Sequence, residues 1–297
     1  MRFASALLTL ASALACGSAL FSSRPPHETQ TPPAPGQPTP AAAVQGAAKK
    51  TVTHDGVSLS FDTALAADVK PAAVPATPLQ AETDKPEGVW PRHTAFTFHK
   101  TPAEKPGPDS NYPSVRVGPV DEYRRAVSVS KRLTGELDAV LEKLRALLRG
   151  QPRTLTKDVP TLHFPDATEA FHTHVKYLKF ARGTGVAYLT QVQQEPSLIN
   201  NEQMTYEFRG LTDDGRHYVY ASFPVAVPFL PATRDVSTHD GYTLPDIFYG
   251  EREEENARAY QAYVTRVKAR LEGLPPDGFT PSLRLLDEML SSLEVNK

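Results

Sequence analysis

The sequence predicts an α+β fold in which helices pack on an antiparallel β-sheet, and three observations support this prediction. The centre of the chain holds four segments that alternate apolar and polar residues, HVKYLKFA, GVAYLTQV, EQMTYEFRGL and RHYVYASFPV, as strands do. Short connections rich in turn residues separate these segments, which favours antiparallel neighbours in a meander. Amphipathic helical segments flank the centre and can cover the apolar face of a sheet.

Further strands are predicted before this centre. The segments HDGVSLSF, HTAFTFH and SVRVGPV alternate with period two, which indicates half-buried strands. The segment VKPAAVPATPLQ is extended but carries several prolines. Because proline cannot donate to the hydrogen-bond ladder, this segment is predicted to be at most an edge strand.

Three apolar stripes predict the helices. In residues 121–150, leucines recur every three or four positions, and the segment ends at Gly150 with Pro152 beyond it. A second helix is predicted to follow the acidic run Glu251–Glu255, which favours a helix N-terminus, and to bury Tyr260, Tyr263, Val264, Val267 and Leu271. The last helix is predicted to open at Thr280 and Pro281, with Leu286, Met289, Leu290 and Leu293 turned inward.

Residues 1–15 predict a secretory signal peptide. Arg2 supplies a positive charge, and the apolar run from Phe3 to Leu14 is shorter than the ~20 residues of a membrane span. The ending Leu14-Ala15-Cys16-Gly17 resembles a bacterial lipobox, although Ala13 stands where leucine is most common. This resemblance implies cleavage before Cys16 and its acylation with palmitate-type chains. The alternative is a plain signal peptide that is cut near Ala15.

The cysteine content agrees with lipidation. Cys16 is the only cysteine of the chain, whereas secreted proteins normally use cysteines in pairs. Gly17, directly after it, gives no signal for retention in the inner membrane. We therefore expect an extracytoplasmic protein that is lipid-anchored to the bacterial cell membrane or the outer membrane.

The domain organisation follows from composition. Residues 16–50 form a lipidated N-terminus and a linker rich in proline and alanine, which buries too little to order itself and is expected to be disordered. Residues 51–297 are long enough for a single α+β domain. The formal net charge is only -2, with both signs mixed along the chain, so nucleic acid is not expected as a partner. The expected partners are the membrane, through the N-terminal lipid, and an envelope protein.

Two segments carry a family resemblance. Residues 199–225 and 279–295 resemble a family of bacterial lipoproteins and secreted proteins without an assigned biochemical function. More loosely, the DGVSLSF opening, the central meander and the closing LDEMLSSLEV helix are similar in layout to PsbP-like α/β sandwiches, which implies that fold. Neither resemblance supplies catalytic residues, because a fold does not determine a function.

The segment EAFHTHVKY contains the best metal candidate. His172 and His174 are two apart on a predicted strand and would point to the same side, with Glu169 nearby. Two imidazoles can share Zn²⁺ or Cu²⁺, but a structural site needs about four ligands. The alternative interpretation is polar surface at the start of a strand. No cofactor is expected.

Other motifs that could suggest a functional site have structural interpretations instead. Gly183-Thr184-Gly185 lacks the third glycine of a dinucleotide fingerprint and is predicted to be a hairpin turn. Asp213-Asp214-Gly215 is likewise a strong hairpin signal. Tyr218 and Tyr220 share one side of a strand, where they either pack in the core or line a shallow ligand groove.

The sequence therefore predicts a non-catalytic, lipid-anchored envelope protein that acts as a binding or accessory module. No Gly-x-Ser-x-Gly elbow is present, and the only cysteine is assigned to lipid. The alternative is a secreted hydrolase or a metal-dependent enzyme with a site built from loops. Its best segment is 233–242, with Asp235, His239 and Asp240, gathered with His172 or His174.

Overall fold

The computed structural model describes residues 48–80, 86, 88–101, 112–164, 167–245, 250 and 252–296. The strands in this part of the chain are β1 Lys49–His54, β2 Val57–Asp62, β3 Asp68–Val74, β4 His93–His99, β5 Ser114–Pro119, β6 Thr168–Phe180, β7 Gly183–Gln193, β8 Met204–Thr212, β9 His217–Pro224, β10 Thr238–His239, β11 Tyr242–Thr243 and β12 Glu294–Val295. The helices are α1 Val120–Ala126, α2 Lys131–Gly150, α3 Glu253–Glu272 and α4 Leu283–Ser291, with a 3₁₀ turn at Pro276–Gly278. The predicted signal peptide, Cys16, most of the linker and Glu251 lie outside the described residues.

Seven strands of the described chain form one antiparallel sheet in the order β3-β4-β5-β9-β8-β7-β6. The four central strands β6 to β9 pair consecutively, so the predicted meander is confirmed. Strand β3, which contains Pro71, lies at one edge, in agreement with the expected edge strand. Together with the helices, this sheet confirms the α+β fold class.

The two faces of this sheet are covered by different elements because successive side chains of a strand point to opposite faces. One face packs with β2, α3 and α4 around the buried residues Phe96, Phe98, Val117, Ala187, Leu189, Phe208, Val219 and Ala221. We refer to it as the α3 face. The opposite face packs against α1 and α2 through Leu211 and Tyr218, and through Val186 and Tyr188. We refer to it as the α2 face.

Local signals explain where the helices begin and end. The predicted helix over 121–150 is divided by the residues between α1 and α2, where the Ser130 side chain accepts from Leu133 N at 3.3 Å and caps α2. The apolar stripe of α2 is buried as predicted, at Leu133, Leu137, Leu141 and Leu144. The predicted start of the last helix at Thr280 and Pro281 is wrong by two residues, because Ser282 accepts from Arg284 N and is the N-cap.

The two predicted turns have different outcomes. The Asp213-Asp214-Gly215 hairpin is confirmed: Gly215 N donates to Thr212 O at 2.7 Å, and Gly215 has a φ of 67° that glycine adopts without steric cost. The turn predicted at Gly183-Thr184-Gly185 lies earlier, at Ala181 and Arg182, since Phe180 already pairs with Gly183. Both glycines belong to β7, where they leave room for phenylalanine rings.

Candidate ligand-binding site

A cavity of about 530 Å³ opens on the α2 face, beside the region that α2 covers. Strands β6, β7, β8 and β9 form its floor, and the segment 158–163 forms one wall. Its charged lining residues are Asp158, Glu169, Glu202, Glu207, Arg209 and Arg234. We refer to it as the Glu207 cavity. Its volume lies within the range of about 300–1,000 Å³ that small-molecule sites have.

The sheet register brings the polar floor together. Glu207 and Arg209 alternate on β8, so both side chains point to the α2 face. Glu207 is directly opposite Tyr188 of β7, and Arg209 is directly opposite Tyr220 of β9. Glu169 of β6 reaches the same place from the outermost strand of the meander.

Three of these side chains form a buried charge cluster. Arg209 Nη2 donates to Glu207 Oε2 at 2.6 Å and to Glu169 Oε1 at 3.3 Å. The exposed fraction of the side chain is only 4% for Arg209, 5% for Glu207 and 6% for Glu169. Arg209 Nη1 also donates to the carbonyl of Val159. The guanidinium therefore holds two carboxylates that burial would otherwise make costly to ionise.

Tyr188 joins the same two carboxylates. Its hydroxyl lies 2.8 Å from Glu169 Oε1 and 3.0 Å from Glu207 Oε2. Burial raises the pKa of Tyr188 well above its ordinary value, so the hydroxyl keeps its proton at neutral pH. A phenol has one hydrogen to donate, so only one of the two carboxylates receives it at a time.

Several buried polar atoms of the cavity residues have no hydrogen-bond partner within the described part of the chain. These atoms are Arg209 Nε, Glu169 Oε2 and Thr205 Oγ1. Buried polar groups are normally paired, and leaving one unpaired costs about 1–3 kcal/mol. The polar groups beneath the cavity are therefore incompletely paired within the described residues.

His172 stands beside Glu169. The interaction with Glu169 raises the pKa of His172, against the opposing effect of burial, and the carbonyl of Leu155 adds to the rise. His172 Nδ1 lies 3.7 Å from Glu169 Oε2, which is an ion-pair distance rather than a hydrogen bond. His172 Nε2 contacts Leu155 O at 2.9 Å. When protonated, His172 places a positive charge beside Glu169 Oε2.

His163 contributes an uncharged aromatic wall. Its ring stacks on that of Trp90, with the two ring centroids 5.3 Å apart. The centroid of the Tyr220 ring lies 4.5 Å from that of His163. Burial, with smaller contributions from Arg209 and Arg116, lowers the pKa of His163 well below its ordinary value. The imidazole is consequently neutral at physiological pH.

Acidification should destabilise the fold through His163. Its pKa is lower in the folded than in the unfolded chain, so the unfolded chain binds more protons as the pH falls below about 6.5. The contribution of neutral His163 to the free energy of unfolding is fully present above about pH 6.5 and is lost as the pH falls below that value. We expect His163→Phe, which keeps a ring but cannot titrate, to lose less stability than wild type when urea unfolding is compared at about pH 7.5 and about pH 5. Equal losses in both proteins would contradict the role of His163.

The predicted metal ligands are not brought together. His174 has a φ of 51° at an irregularity of β6, where the pairing shifts between Thr173 and Lys176. Its Nε2 contacts Leu271 O of α3 at 2.8 Å, whereas His172 contacts Leu155 on the α2 face. The prediction that the two imidazoles point to the same side is therefore wrong. Within the described residues, no group of three or more His, Cys, Asp or Glu side chains is placed to hold a metal ion.

The loop proposed for an enzyme site packs on α3. His239 contacts Phe229 O at 2.9 Å and Tyr263 Oη at 3.2 Å, and Asp240 forms ion pairs with Arg266 and Arg270. His239 and His174 contact α3 at Tyr263 and Leu271, which the helical rise separates by about 12 Å. Asp235 is exposed. The structure does not gather this loop with either histidine of β6.

Tyr218 and Tyr220 are predicted either to pack in the core or to line a ligand groove, and the two residues differ in this respect. Tyr218 is fully buried and packs edge-on against Tyr123, so it belongs to the core. Tyr220 lines the Glu207 cavity and contacts His163, so it belongs to a ligand groove.

Sequence reasoning missed Tyr188, Glu207 and Arg209, and it named Glu169 only as a neighbour of the histidines. A signal for two of them was present. Glu207 and Arg209 are charged residues at alternate positions of the strongly apolar segment MTYEFRGL, on one face of a predicted strand. A buried strand with two charges on one face indicates an internal ion pair or a site.

The fold and the cavity define an α+β protein with a preformed polar cavity on its sheet. No protein-family model, curated protein or solved structure matches this chain. The resemblances to a lipoprotein family and to a PsbP-like layout therefore stay predictions. Among the described residues, no helix is both long enough and apolar enough to span a membrane.

Proposed function

We propose that this chain is a lipid-anchored, extracytoplasmic binding protein that holds a small polar ligand in the Glu207 cavity without transforming it. The observation that carries the proposal is the cavity with its incompletely paired buried floor. The floor residues project from paired strands of one sheet, so they are held in place before a ligand arrives. Preorganised polar groups of this kind give affinity and orientation at a low ordering cost.

The contacts within the cavity favour binding over hydrolysis. The best nucleophile-like pair is Thr161 and His163, whose Oγ1 and Nδ1 atoms are 2.6 Å apart. A general base works best with a pKa near the operating pH. Burial moves the pKa of His163 well below its ordinary value, so this imidazole is a poor proton acceptor. In the enzyme site predicted from the sequence, the loop 233–242, His239 and Asp240 contact α3 and do not line the cavity.

A binding screen with the full chain tests the proposed function. We expect at least one polar compound from a panel of cations, anions and neutral molecules to raise the melting temperature and to be recovered chemically unchanged. Ser222→Tyr, which enlarges a lining side chain, should abolish the rise, whereas Thr265→Tyr on the exposed side of α3 should retain it. Absence of any shift across the panel, or conversion of the bound compound, would contradict a binding function.

The anchor is tested separately. Cys16→Ser should move the protein from the membrane fraction to the soluble extracytoplasmic fraction, because the acceptor for the acyl chains is lost. Ser18→Ala is the matched control, since it leaves the cysteine in place and should stay with the membrane. Retention of uncleaved Cys16→Ser in the membrane fraction would instead identify the leader as an anchor helix.

A further inference from the structure

We propose that the ligand of the Glu207 cavity is a small organic cation that carries an ammonium or guanidinium group. This inference rests on the proposed binding function and adds the chemical class of the ligand. Three independent features of the cavity support it: its charge, its shortage of hydrogen-bond donors and its aromatic wall.

The charge of the lining is acidic. Asp158, Glu169, Glu202 and Glu207 face two guanidinium groups, Arg209 and Arg234. Arg209 is already committed to Glu169, Glu207 and the carbonyl of Val159. Burial and, to a smaller extent, Glu169 raise the pKa of Asp158, whereas His172 and Arg209 oppose the rise. The four carboxylates of the lining outnumber its two guanidinium groups, so the lining favours a cation over an anion.

The carboxylates are also short of donors. Glu169 Oε1 and Glu207 Oε2 share the Nη2 group of Arg209 and the single hydrogen of Tyr188. The other oxygen of Glu207, Oε1, has Tyr220 Oη at 3.5 Å, which is the outer limit of a hydrogen bond. An ammonium group brings three donors with a positive charge, and a guanidinium brings five. Hydrogen bonds between ionised partners are about twice as strong as those between neutral groups.

Arg209 adds an incompletely paired group at the floor of the cavity. The residue is 3% exposed and lines the cavity, yet its Nε has no partner in the described part of the chain. Thr205 Oγ1, on the same strand and face, is also unpartnered. Since the described carboxylates do not form a group of three around one point, the geometry fits an organic cation better than a metal ion.

The wall of the cavity is suited to a cation as well. Tyr220 and the neutral His163 line it, and their ring centroids are 4.5 Å apart. Aromatic rings attract cations through their faces, and the attraction increases when water is excluded. Arg116 already lies 4.4 Å from the centre of the Trp90 ring, and together with Arg209 it disfavours positive charge at His163, so Tyr220 is the ring expected to receive the cation.

Isothermal titration of the full chain with a matched series of probes tests the ligand class. Cadaverine, pentanediol and glutarate share one carbon chain and differ in charge, and agmatine adds a guanidinium. We expect the two cations to bind at least about tenfold more tightly than pentanediol or glutarate. Tighter binding of glutarate or pentanediol in the cavity would overturn the ligand class and leave the binding function intact. If no probe of the series and no compound of the wider panel binds, both proposals are wrong.

Carboxylate variants then locate the bound cation. Glu207→Gln should weaken cadaverine binding by about tenfold or more, because a charge-assisted bond is lost. Asp158→Asn, at the exposed rim, should weaken it less and leave the fold intact, so it serves if Glu207→Gln does not fold. Glu254→Gln on α3, with a 91% exposed side chain, is the control and should bind as wild type. Unchanged cadaverine affinity in both cavity variants would overturn the proposal.

Discussion

Replacing Arg209 with methionine is expected to destabilise the protein by about 3–5 kcal/mol, because it leaves two carboxylates buried without their shared cation. The methionine fills a similar volume, so the loss reports charge rather than a cavity. For a domain of this size, such a loss lowers the melting temperature by roughly 10 °C. Urea unfolding of wild type and Arg209→Met at neutral pH provides the measurement.

A double-mutant cycle separates the charge effect from general disturbance. Glu207→Gln should be destabilising in the wild type, where it removes one partner of Arg209. In the Arg209→Met background the same change should be neutral or stabilising, since it removes one uncompensated charge. Additive losses would show that the two side chains are not coupled and would contradict the buried cluster.

Arg124 provides the matched surface control. It forms ion pairs with Asp121 and Asp138, but its side chain is 39% exposed. Exposed ion pairs contribute about 0–1 kcal/mol, so Arg124→Met should change stability far less than Arg209→Met. A loss for Arg209→Met as small as that of Arg124→Met would mean that water screens the cluster.

Features of the fold that depend on neighbouring residues could be predicted from the sequence. The meander β6 to β9 follows from alternation along each strand and from short turns, and the Asp214-Gly215 hairpin depends on residues within one turn. The predicted edge position of β3 depends on the prolines of its own segment, of which Pro71 lies within the strand. These are local signals, and the structure confirms them.

Features that depend on distant pairing could not be predicted in the same way. Strand β5 pairs with β9, and β12 pairs with β2, across long stretches of chain. Nothing in the alternation of a single strand states which partner lies beside it. The same limit applies to the site, because Glu169, Tyr188 and Glu207 come from three strands and meet only through their register. His174 shows the opposite effect, since an irregularity of β6 turns it away from the position that period two predicts.

The second large effect is expected at Gly185, which sequence reasoning assigned to a turn and the structure places within β7. A Cβ atom there would overlap the fully buried ring of Phe208: even Cε1, the farthest of the three nearest ring carbons, would be 2.8 Å away. Gly185→Ala should therefore cost about 3 kcal/mol, the upper end for an overpacked core. Urea unfolding at neutral pH measures this loss.

The sign of a matched glycine variant decides whether sterics are the cause. Gly135 of α2 is exposed and has no atom within 4 Å of a built Cβ, so Gly135→Ala should stabilise the protein by about 0.5–1 kcal/mol through helix propensity. Phe208→Leu should cost less in the Gly185→Ala background than in wild type, because the smaller side chain makes room for the added methyl group. Since both glycines gain the same atom, opposite signs can come only from their surroundings. A Gly185→Ala protein as stable as wild type would show that the ring of Phe208 does not lie over β7.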